Sequence, residues 1–309
     1  LHPRVRRQRQ MCIRDSLKIL AELCRLLIGV VFIFSGFVKA VDPMGGAIKI
    51  GEYLASFGLD MLQPFTVLLS FNLSAIEFAL GVCMLLGVYR RYVSFLILIF
   101  MAFMTPLTLY LALFDPVSDC GCFGDALVIS NWETFFKNIV LSLAAIVTFI
   151  YNQRLFQCFT FRAYWFVALY AYLFGVGFAY YNYNHLPVID FRPYKIGANI
   201  PKLMEMPEEA PQDEYKYTFV YEKDGVKKEF SLEDYPANDS SWTFVDSKTE
   251  LVKKGYQPPV AAFNIYNGKG DDVTEEIIGN PGPVLLLVAP KLEEADDEQM
   301  DEILSLIHI

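Results

Sequence analysis

Two cysteines separated by one glycine stand between two long apolar runs, in LFDPVSDCGCFGDALVISNW at residues 113–132. Cys120 and Cys122 could be a redox pair, part of a metal site, or a small turn. A disulfide closed across one residue forms a very small ring, and the S–S bond wants a near-perpendicular torsion. Gly121 removes the Cβ that would oppose so tight a bend. A strained disulfide has a higher reduction potential and exchanges more readily. Asp119 and Asp125 act the other way, because neighbouring carboxylates disfavour a thiolate. A structural turn, or a disulfide with another protein, fits the same residues.

The second group is Glu77, inside the apolar stretch NLSAIEFALGV. A carboxyl at membrane depth is costly and faces a bundle interior or a polar cavity. Lys39 could pair with it, and Ser35, Asn72 or Thr105 could satisfy it by hydrogen bonding. A structural hydrogen bond, proton transfer, quinone contact and substrate contact all remain open for this residue. Thr105-Pro106 should kink its own helix, because proline removes a backbone bond. The kink could open a cavity beside Glu77 or simply serve packing.

Positioning these groups falls to five apolar runs, each near the roughly 20 residues that a bilayer core requires. They lie at about 17–39, 63–88, 92–114, 134–151 and 163–182. Lys and Arg accumulate in cytoplasmic loops. One set of helix ends carries Lys18, Arg25, Arg90, Arg91, Arg154 and Arg162. The opposite set carries Lys39, Lys49 and Lys137, diluted by acidic residues. The N-terminus is therefore expected in the cytoplasm, with the Cys120–Cys122 loop and everything after the fifth run outside it. Tyr89, Tyr92, Tyr151, Tyr164, Trp165, Tyr180 and Tyr181 fit interfacial aromatic belts. On this topology Cys24, Cys83 and Cys158 are inner, reduced thiols, and only Cys120 and Cys122 face an oxidising compartment. The outer side offers a metal just two thiols, carboxylates and His185, short of a usual zinc set, so no metal is expected.

Charge divides the chain in the same place. Residues 1–181 hold 14 Lys+Arg against 10 Asp+Glu, and residues 182–309 hold 12 against 25. The acidic second half excludes nucleic acid as a partner, since that requires clustered Lys and Arg. Within it, YKYTFVYEKDGVKKEFSL reads as a hairpin around Asp224-Gly225. PVAAFNIYNGKG reads as a strand and turn, and GPVLLLVAP as a buried strand. The basic opening LHPRVRRQRQMCIRDS lacks the apolar core of a signal peptide. Residues 1–16 read as a non-native leader, and the chain is expected to continue beyond its present end.

Three motifs in order, FSGFVKAVDP (34–43), IEFALGVCMLLG (76–87) and DPVSDCGCFGD (115–125), resemble the DoxX/MauE family of bacterial membrane proteins. The resemblance spans about 17–151 and implies an all-α membrane four-helix bundle, similar in fold to other thiol-redox membrane proteins. It implies envelope thiol/disulfide redox work, or maturation of periplasmic proteins, at the inner membrane. The carried-over residues are Cys120, Cys122 and Glu77 for the chemistry, with Lys39 and Glu77 as contacts for a membrane quinone. A periplasmic thiol-containing protein would be the partner. The full expectation is a bundle at 17–151, an inner loop and fifth transmembrane helix at 152–182, and a small extracytoplasmic β-rich or α/β domain at 183–309. That last domain is similar to a truncated thioredoxin-like tail, but it departs from the pattern. No cysteine follows Cys158, and there is no second outer cysteine pair for a self-sufficient thiol oxidase. A non-enzymatic assembly factor with a structural cysteine loop, and a proton-coupled carrier using Glu77, are the competing readings.

Overall fold

The computed structural model describes residues 3–114, 120–207, 214–223, 226–231, 242–253, 255–256, 258, 260, 263–282, 284 and 286. The chain divides into two units, residues 1–192 and 193–309. The first unit is helical: α1 (Pro3–Val41), α2 (Pro43–Ser56), α3 (Thr66–Leu86), α4 (Arg90–Phe114), α5 (Asn131–Ile150) and α6 (Tyr164–Asn184). Among the described residues four stretches are long and apolar enough to cross a membrane: Asp60–Leu86, Arg90–Phe114, Asn131–Ile150 and Phe161–Asn184. They coincide with the second to fifth expected runs. The first run lies within the single 39-residue helix α1, which packs along α3, α5 and α6.

α1 and α3 approach each other closely, and glycine permits it. A Cβ on Gly36 would stand 2.4 Å from the Phe78 backbone nitrogen, and one on Gly81 would stand 2.6 Å from that of Ile33. Small residues at such a seam let two helix backbones approach, so that dispersion and polar contacts hold the helices where lipid gives no hydrophobic drive. The approach brings the Lys39 end of α1 to the depth of Glu77 on α3.

Local signals set the helix ends. Asp42 caps α2 by accepting from the Gly45 N–H at 2.9 Å, with Pro43 in the first helical position, where its missing N–H costs nothing. Ser130 and Glu133 form a reciprocal capping box at the start of α5. At the opposite end of the bundle, buried Arg25 donates to the terminal carbonyls Met84 and Leu85 of α3 and to Glu22. Arg90 donates to the Leu155 carbonyl. α4 continues through Pro106, and the Thr108 hydroxyl hydrogen-bonds back to the Met104 and Thr105 carbonyls. After α6 the chain stays with the bundle: Asn182 donates to the Ala40 carbonyl and accepts from the Val188 N–H.

The second unit contains short helices α7 (Ile200–Met204) and α8 (Thr274–Ile278) and strands β1 (Glu214–Lys223), β2 (Val226–Ser231) and β3 (Thr243–Lys253). The strands form one antiparallel sheet in the order β2-β1-β3. Lys223 pairs with Val226 across the tip of the β1–β2 hairpin, at the expected turn. β3 is an addition to the expected strands. The expected strand in PVAAFNIYNGKG is reduced to one bridge, Tyr266 to Asp272. In GPVLLLVAP the three described residues, Gly282, Val284 and Leu286, lie outside any strand, and Val284 and Leu286 are each 49% exposed. The rest of that run lies outside the described residues.

Gly36→Val should push α1 off α3 and destabilise the bundle by about 1–3 kcal/mol, as overpacking does. It should be seen as a lowered Tm of the detergent-solubilised protein. Gly177→Ala, where a Cβ meets nothing within 4 Å, should leave Tm unchanged. Equal Tm values for the two variants would contradict the close seam.

Candidate functional site

Cys120 and Cys122 are joined to each other by a disulfide, with Cα atoms 5.3 Å apart. Gly121 between them has φ +63°, a left-handed conformation that a side chain resists. Both cysteines are buried, at 7% and 8% exposure. The other described cysteines are free: Cys24 half-buried, Cys83 buried and Cys158 exposed.

Two helices hold the disulfide loop through its carbonyls. The Tyr53 hydroxyl of α2 donates to the Cys120 carbonyl at 2.8 Å. The Ser35 hydroxyl of α1 lies 2.8 Å from the Cys122 carbonyl and 2.7 Å from Glu77 Oε2. Lys39 Nζ contacts Glu77 Oε1 at 2.6 Å, with Lys39 11% and Glu77 2% exposed. A short polar chain therefore runs from Lys39 through Glu77 and Ser35 to the backbone of the disulfide. A hydroxyl has one proton and here faces two acceptors. The Ser35 hydroxyl therefore shares its proton between the Glu77 carboxylate and the Cys122 carbonyl. The arrangement ties the Lys39–Glu77 pair to the backbone of the disulfide.

Of the four partners expected for Glu77, Lys39 and Ser35 are engaged. Asn72 instead accepts from Tyr172 at 2.6 Å, and Thr105 pairs with Ser142 at 2.7 Å. Both face other helices. Two further residues join the site without having been expected there. Tyr53 lies on α2, whose start is readable from Asp42-Pro43. Lys137 projects from α5, and its ammonium sits 4.1 Å from the Phe123 ring centroid. A lysine inside an apolar run is itself a signal of function.

Two cavities meet at the disulfide. One is small, about 30 Å³, and its lining includes Ser35, Lys39, Glu77, Cys122, Phe123 and Lys137. The second is apolar, about 350 Å³, and lies among α2, α3 and α4. Its lining includes Tyr53, Phe57, Phe103, Leu107 and both cysteines. Lys39 borders both. Among the described residues no group of three or more His, Cys, Asp or Glu could hold a metal ion.

On the same end of the bundle, the hydrogen bonds that the Arg192 guanidinium donates to the Asp190 carboxylate hold it above its ordinary range, with a smaller contribution from the charges of Asp42 and Asp125. The chain leaving α6 thus emerges at the end that carries the disulfide.

Residues 17–151 match the family model described as Methylamine utilisation protein MauE. Residues 215–254, which cover β1 to β3, match a domain of unknown function (DUF8463). No curated protein and no solved structure matches the chain. The helical segment is MauE/DoxX-like, and the chain is a membrane protein with several helices able to cross a bilayer.

Glu77→Ala should cost about 3–5 kcal/mol, because it leaves the Lys39 ammonium buried without its carboxylate. The double replacement Lys39→Met with Glu77→Met should recover most of that loss. Thermal or denaturant unfolding of the three variants checks this. A double variant as unstable as Glu77→Ala would mean that the ion pair does not act as a unit.

Proposed function

We propose that this MauE/DoxX-like protein carries out thiol/disulfide exchange for envelope proteins, with Cys120–Cys122 as the exchanging disulfide. The observation that supports this best is the polar chain Lys39–Glu77–Ser35 ending on the backbone of a disulfide set at the mouth of a membrane bundle. A disulfide needed for rigidity alone requires no buried charge pair beside it. In the proposed cycle, two thiols of a periplasmic partner are oxidised to a disulfide and the Cys120–Cys122 pair is reduced to two thiols. A membrane quinone then accepts two electrons and two protons and restores the disulfide. The 350 Å³ apolar cavity touching both cysteines suits an aromatic, lipid-soluble acceptor, and Lys39 at its edge, paired with Glu77, would face that acceptor.

The orientation belongs to the same reading. α1 packs along α3, α5 and α6 and would make the fifth crossing. Arg25, Arg90, Arg91 and Arg154 would then face the cytoplasm of the inner membrane. The disulfide and the acidic second unit would lie outside it, with that unit serving as a docking module for the partner. Burial of both sulfurs favours one alternative, an assembly factor in which the disulfide is permanent.

Acid quenching of cells, followed by a membrane-impermeant thiol reagent, separates the two. The proposed cycle predicts a pair found in both the thiol and disulfide forms, shifting toward thiol when quinone synthesis is blocked. A pair that stays fully oxidised under both conditions would leave the assembly-factor reading. Labelling of reduced Cys120 and Cys122 only after lysis would overturn the orientation.

A further inference from the structure

The two sulfurs of the disulfide stand in different electrostatic surroundings. Both cysteines line the larger cavity with Lys39 and Lys49, but Cys122 alone also lines the small cavity with Lys39, Lys137 and Glu77. Among the described residues this cavity holds two ammonium groups and one carboxylate. Lys39 is paired with Glu77 at 2.6 Å, whereas Lys137 rests on the Phe123 ring, one residue from Cys122. Among the described residues its lining therefore carries one positive charge more than negative while the disulfide is closed. An excess charge in so apolar a lining is costly unless some state of the site supplies a counter-ion. Opening the disulfide supplies one, as a thiolate on Cys122.

Building on the exchange reading above, we propose that the two cysteines have fixed and unequal roles: the partner bonds to Cys120, and Cys122 is the leaving sulfur whose thiolate is held by Lys39 and Lys137. A partner thiolate attacks Cys120 Sγ. The new bond joins the partner sulfur to Cys120, the Cys120–Cys122 bond breaks, and its electron pair leaves on Cys122. Charge and electrons balance with no further reagent at this step. Thiol exchange is faster when the leaving sulfur is the better-stabilised anion, and neighbouring lysines favour a thiolate. Attack at Cys122 would instead leave the negative charge on Cys120, which does not line the cavity that holds Lys137. Tyr53 binds the Cys120 carbonyl and keeps that residue placed while its sulfur changes partner.

The test uses the full-length oxidised protein in detergent or nanodiscs, with glutathione as the attacking thiol. After seconds of reaction the mixture is quenched in acid and the freed thiol is alkylated. Peptide mass spectrometry then reads which cysteine carries glutathione and which the alkyl group. The expected result is glutathione on Cys120 and alkyl on Cys122, in a ratio on the order of 10 to 1 or more. Lys137→Gln should slow the exchange on the order of 10-fold and reduce that ratio, and Lys137→Arg should restore both. A purely structural lysine would change yield or Tm without moving the ratio. Glutathione mainly on Cys122, an even split, or a ratio unmoved by Lys137→Gln would overturn the assignment and leave the exchange function standing. A disulfide inert to glutathione would overturn both.

Discussion

The contact between Lys39 and Glu77 is the constraint on which the rest of the bundle depends. A carboxyl 2% exposed within an apolar helix is tolerable only with a partner whose geometry and remaining hydrogen bonds are right. Meeting that condition fixes three things together. α1 must approach α3 closely enough to bring Lys39 to Glu77, and Gly36 and Gly81 remove the atoms that would prevent it. Ser35, one turn before Lys39, must face the second carboxyl oxygen. The loop between α4 and α5 must then fold inward, so that the Cys122 carbonyl meets the same hydroxyl. The disulfide is thereby tied to the polar interior and is not merely perched on a surface turn.

This linkage gives the site its chemical character. Charge pair and disulfide are within one or two hydrogen bonds of each other, beside a cavity whose lining includes Phe32, Phe100, Met101 and Met104. In such surroundings charges are weakly screened, and a change at one group is felt at the others. The apolar cavity on the other side of the sulfurs is of a size to admit a small aromatic molecule. Lys39, which borders both cavities, couples them.

Much of this architecture is legible in the amino-acid sequence. Runs of apolar residues mark the long helices because a bilayer requires length and hydropathy together. Cys120-Gly-Cys122 and Glu77 stand out because polar, reactive side chains beside or within apolar runs are costly to place there for packing alone. Lys39 and Ser35 are recognisable as candidates, but choosing them over Asn72 and Thr105 requires knowing which helix faces meet. α2 is hidden because Gly, Lys and Glu break its apolar pattern and it is too short to span a bilayer. β3 is hidden because TFVDSKTELVK alternates poorly and gains its place by pairing with β1. Lys137 reads only as a charge on the outer side of the bundle, and its part in the site depends on the loop that places Phe123 against it.

The central claim is that the buried ion pair and the disulfide form one thermodynamic unit. The direct measurement is the redox midpoint of Cys120–Cys122 in glutathione buffers, in the wild-type protein and in Glu77→Gln. Removing the carboxylate leaves Lys39 and Lys137 facing Cys122 and favours the reduced, thiolate-bearing form. The midpoint should therefore rise by on the order of 30 mV, a tenfold change in the equilibrium for two electrons. A midpoint unchanged in a Glu77→Gln protein that still folds would contradict the linkage and leave the pair and the disulfide as unrelated neighbours.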